Sequence, residues 1–109
     1  MRLWTPSPSQ VEAANLTRFM RDVGITDFDA LHRWSVESRE DFWIALWQFC
    51  DVIAEERPGR TPWDEVLAGR DRMAPPDAEL GPRWFTGARL NFAENLLRRR
   101  DEHPALVFW

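Results

Sequence analysis

Apolar residues recur at helical spacing through the first half of the chain and lose that rhythm in the second. In "SPSQVEAANLTRFMRDVG", Leu16, Phe19, Met20 and Val23 fall three and four apart. Such spacing predicts a helix with one inward face. Ser7 suits its cap, Pro8 the first helical position and Gln10 the reciprocal capping position; Ser9 with Glu12 offers a second register, and Gly24 ends the run. "TDFDALHRWS" predicts a short helix or turn with Phe28, Leu31 and Trp34 aligned. "SREDFWIALWQFCDVIAEE" predicts a longer helix, capped by Ser38 and carrying acids in its first turn, where they complement the helix dipole. Its wide apolar stripe runs from Phe42, Trp43, Leu46 and Trp47 through Cys50, Ile53 and Ala54, which makes it the expected centre of the core.

After Pro58-Gly59, "TPWDEVL" fits one further helical turn, with Thr61 as cap and Pro62 at the first position. From Ala68 to Pro82 the pattern has no usable period and predicts a loop. "RWFTGARLNFAENLLRRR" then combines an extended piece, a turn at Gly87, and a helix capped by Asn91 with Glu94 at its third position. Leu96 and Leu97 are its expected inward side, and Arg98 to Arg100 complement its C-terminal end. His103-Pro104 breaks the chain again. Ala105 to Trp109 form an unbroken apolar run of the kind that fills a buried strand. No other segment reads as a convincing partner for that strand, and a lone strand leaves its backbone groups unpaired. The expected fold is therefore mainly α: several short helices joined by long loops, ending in one C-terminal β-strand, as an incomplete portion of a larger α/β enzyme.

Composition narrows the chemistry. The 109 residues suffice for one domain. A net charge of −4 argues against nucleic acid as the main partner. The longest apolar run, Phe42 to Trp47, is far shorter than a membrane span, and the first residues carry no secretory leader pattern, so the expected location is the cytoplasm. All 14 basic residues are arginine, which removes a phosphate-loop lysine and a Schiff-base lysine together. The five glycines are too widely spaced for a dinucleotide or phosphate loop. His32, His103 and Cys50 show no zinc spacing. Cys50, on the apolar stripe, reads as an inert core thiol, and His32 as a partly buried histidine bonded to a neighbour rather than a general base. Glu37, Glu40 and Asp41 read as a solvated helix start rather than paired catalytic carboxylates. No catalytic, cofactor-binding or metal-binding residue is assigned.

Four stretches together carry a resemblance: "LWTPSPSQVEAANLTRFM", "LHRWSVESREDFWIALWQFC", "RWFTGARLNFAENLLRRR" and "PALVFW". They resemble the N-terminal region of the acetoacetate–CoA ligases, of the acetyl-CoA synthetase type among adenylate-forming enzymes. The W-F-x-G-x-x-L-N-x-x-x-N pattern from Trp84 to Asn95 resembles one shared across the short-chain synthetases, while "LHRWSVE" and "LNFAENLLRR" resemble the acetoacetate branch more narrowly. The resemblance implies a helical cap over residues 1–103 and the start of the large adenylating domain's first strand at 104–109. It implies that ATP, CoA and Mg serve the parent enzyme, none of them through residues of this chain, and that the remainder of the ligase is the partner. Trp84, Phe85, Gly87, Leu90, Asn91 and Asn95 are then expected to dock the cap on the catalytic body; the alternative is that they only close this region's own core. Exposed aromatic surface on an incomplete domain also favours self-association. Two other readings stay open: a stand-alone helical interaction module derived from the cap, and the same region of an acetate or propionate CoA ligase.

Overall fold

The computed structural model describes residues 3–71, 81–104 and 106–108. Among them are five helices and one two-stranded antiparallel sheet, a helix-dominated fold as the pattern predicts. The chain divides into two compact units, Met1–Asp51 and Val52–Trp109.

The first unit is helical. α1 (Pro8–Ala13) opens with the predicted capping box: Ser7 Oγ accepts from the Gln10 amide, and Gln10 Oε1 accepts from the Ser7 amide at 2.8 Å. The expected single helix breaks at Ala14, whose backbone is extended, and resumes as α2 (Asn15–Asp22). Thr17 accounts for the break in local terms. Its hydroxyl donates to the Val11 carbonyl at 2.6 Å, beside the Ala14 amide that donates to the same oxygen at 3.2 Å. The Arg21–Glu12 ion pair ties the two pieces together. Gly24, at φ +70°, closes α2: its amide donates to the Arg21 carbonyl while the Ile25 amide reaches the Met20 carbonyl at 2.9 Å. That is the paired bonding of a glycine-terminated helix.

α3 (Phe28–Glu37) is capped by Asp27, whose carboxylate accepts from the Ala30 amide at 2.8 Å. Ser38 precedes α4 (Arg39–Phe49) as expected, but its side chain makes no capping bond; it also closes α3, through its amide to the Trp34 carbonyl. α4 stops five residues before Ala54, the last of the predicted stripe. Asp51 adopts φ +50° and donates its amide to the Gln48 carbonyl, doing what a terminal glycine does at this position. The early stop moves two expected core residues. Cys50 is exposed rather than buried, and Ile53 leaves the helix stripe. His32 is likewise exposed, not partly buried.

Aromatic rings fill this unit. Phe19, 5% exposed, meets the edges of Phe42 at 5.9 Å and Phe49 at 5.1 Å between centroids, and Phe42 in turn meets Trp34 and Trp43 edge-on. Leu31 is equally buried, and the Arg18 guanidinium lies over the Phe49 ring.

The second unit is built differently. "TPWDEVL" is not a helical turn: Glu65–Ala68 forms β1, paired antiparallel with β2 (Arg83–Thr86) in the register Glu65 to Thr86, Leu67 to Trp84 and Ala68 to Arg83. The Asp64 amide extends the ladder to the Thr86 carbonyl at 2.8 Å, and Thr61 bonds the Trp63 carbonyl instead of capping. Strand pairing satisfies these backbone groups at a distance, which outweighs the weak local preference for a turn of helix. Most of the predicted 68–82 loop, residues 72–80, lies outside the described residues. α5 (Phe92–Leu96) follows the hairpin. Leu96 and Leu97 are exposed rather than inward; Asn95 is the α5 residue partly enclosed. Leu106, Val107 and Phe108 belong to no strand and stand exposed, while Ala105 and Trp109 lie outside the described residues. Among the described residues, 106–108 of the expected final strand thus pair with no other strand.

Candidate docking site

The six residues singled out from Trp84 to Asn95 lie in the second unit; Phe85 and Asn95 are partly buried, and Trp84, Gly87, Leu90 and Asn91 are exposed. Trp84 sits opposite Leu67, the one buried apolar side chain among the unit's described residues. Phe85 packs its ring against the edge of Trp63, centroids 5.0 Å apart. Its backbone is in the left-handed region at φ +46°, costly for a bulky residue by about 1–3 kcal/mol. The ring contact and the Ala88 amide, which donates to the Phe85 carbonyl at 3.1 Å, hold it there.

Gly87 is required twice over. It sits at φ +75°, and a methyl group on it would overlap the Asp64 carboxylate. That carboxylate is fixed by Arg57, whose Nη1 lies 2.8 Å from Oδ1. Asp64 is a contributor the sequence pattern did not reveal, because its role depends on the hairpin register and not on any local spacing.

The two asparagines divide the work at α5. Asn91 caps the helix, its Oδ1 accepting from the Ala93 amide at 2.9 Å and the Glu94 amide at 3.3 Å. Asn95 reaches across 42 residues of sequence. Its Oδ1 accepts from the Ile53 amide and its Nδ2 donates to the Ile53 carbonyl, both at 2.8 Å, while Nδ2 also donates to the Asn91 carbonyl at 3.0 Å. One carboxamide therefore supplies Ile53 with the donor and acceptor that a neighbouring strand would offer. Close by, the Glu55 amide donates to the Arg89 carbonyl at 2.8 Å and the Glu55 and Arg89 side chains pair at 3.3 Å.

Leu90 is exposed, on the rim of an open cleft of about 430 Å³ with Ile53, Ala54, Glu55, Asn91 and Glu94. Phe92, Leu96 and Leu97 continue the apolar exposure along α5. Phe85, Gly87, Asn91 and Asn95 hold the scaffold, and Trp84 and Leu90 add to its accessible apolar surface.

No group of three or more His, Cys, Asp or Glu side chains suited to a metal ion occurs among the described residues. Among the described residues one group has a displaced acidity: the Arg99 side chain and then the His103 amide hydrogen-bond Asp101 and hold its carboxyl below the usual carboxylate range. No helix among the described residues is long and apolar enough to cross a membrane.

Residues 28–96 match the family described as acetyl-coenzyme A synthetase N-terminus. The chain belongs to that family. Its match spans α3 to α5 and so includes the asparagine clamp and the whole Trp84–Asn95 pattern. Among relatives of this acetyl-coenzyme A synthetase N-terminus chain, an acetoacetyl-coenzyme A synthetase of Rhizobium meliloti is 39% identical over 97% of the chain, and an acetoacetyl-CoA synthetase of Macaca fascicularis 34% identical over the same share. A malonamoyl-CoA synthetase of Penicillium aethiopicum is 43% identical over 64% of the chain and covers 8% of that protein. The chain spans about 15% of the length of the two acetoacetyl-CoA synthetases. No solved structure matches it.

Proposed function

We propose that this chain is the non-catalytic N-terminal portion of an acetoacetate–CoA ligase and that it serves as a cap seated on the catalytic body. The observation that carries the reading is the 39% identity to an acetoacetyl-coenzyme A synthetase across 97% of the chain, joined to a residue inventory without lysine. The parent reaction joins acetoacetate to CoA in two steps: the carboxylate displaces pyrophosphate from ATP to give an acyl-adenylate, and the CoA thiol then displaces AMP. ATP, CoA and Mg belong to that reaction in the cytoplasm, and no residue here is assigned to hold them. Trp84, Phe85, Gly87, Leu90, Asn91 and Asn95 form the docking element, with residues 104–109 as the first strand entering the adenylating domain. Exposed apolar surface on α5, beside Leu90, supports this assignment.

A second reading widens the substrate. The malonamoyl-CoA synthetase relative is 43% identical over 70 residues. Malonamate and acetoacetate share a carboxylate two bonds from a second carbonyl, so a β-carbonyl acid is the substrate class that covers both names.

Acetoacetate-dependent ATP–pyrophosphate exchange tests the proposal. The purified chain alone is expected to give no exchange above background, and the chain joined to the remainder of the ligase to give turnover with acetoacetate above acetate or propionate. Exchange by the chain alone overturns the non-catalytic role. Full activity and unchanged melting of a ligase lacking residues 1–109 overturns the cap.

A further inference from the structure

We draw no further inference here: the strongest candidate, the apolar cleft of about 640 Å³ in the first unit that Val11, Leu16, Thr17, Met20 and Ile25 line beside α1 and α2, carries none, because nothing in the structure shows what covers it.

Discussion

The two units solve the same problem by opposite means. The first draws its cohesion from rings: Phe19 at the centre, with Phe42 and Phe49 against it and helices closed by local caps. The second buries little apolar surface, with Leu67 as its enclosed side chain, and relies on side chains that substitute for missing backbone partners. Both units leave large apolar residues exposed, among them Val11, Leu16 and Phe28 in the first and Leu90, Phe92 and Leu96 in the second. What differs is the means of cohesion, packed rings in one and directional bonds in the other.

The sharpest way to break this contrast is Phe19→Ala. It removes a buried ring and two edge contacts and is expected to cost about 3–5 kcal/mol in urea unfolding followed by tryptophan fluorescence. A cost under about 1 kcal/mol would remove the packing half of the comparison. Next comes Asn95→Leu, nearly the same size but without the carboxamide. The partly buried Ile53 amide and carbonyl lose their partners, for an expected loss of about 2–3 kcal/mol and faster exchange of the Ile53 amide. Asn95→Asp sharpens the result, since it can still accept from the Ile53 amide but has no N–H for its carbonyl, and so should fall between. Gly87→Ala should cost about 1–3 kcal/mol through the left-handed backbone and the displaced Asp64 carboxylate, and Asp64→Gly should relieve only the second part. Ser7→Ala, which breaks one arm of the capping box, is expected to cost about 1 kcal/mol.

The smallest effect is a titration. Asp101 is stabilised as the anion by Arg99 first and the His103 amide second. Because its folded pKa is depressed, the associated stabilisation is present above the ordinary carboxylate range and is lost as pH falls through the lower folded value. The carboxyl carbon shift of Asp101 should therefore have its midpoint below the ordinary aspartate value, and Arg99→Ala should move that midpoint upward. Identical midpoints in the two proteins would discard the assignment.

Features set by neighbouring residues were readable in the sequence. Ser7 with Gln10, Gly24 and Asn91 announce themselves because a cap needs only its own turn of chain. Features set by distant partners were not. "TPWDEVL" carries a cap-and-proline start that suits a helix, yet its backbone is claimed by Arg83–Thr86 across the hairpin. The stripe through Ile53 and Ala54 keeps helical period past the point where Asp51 ends the helix. Asn95 marked itself only as a polar residue in a pattern; that it serves Ile53 follows from the fold. Leu96 and Leu97 misled for a related reason: the α5 residue its unit partly encloses is Asn95, held by a partner distant in sequence.

Cys50 has a practical consequence. As the chain's sole thiol, and an exposed one, it accepts a single maleimide dye without background labelling. A fluorophore there would report on the end of α4 in real time, so the folding of the helical unit can be followed without inserting a tag.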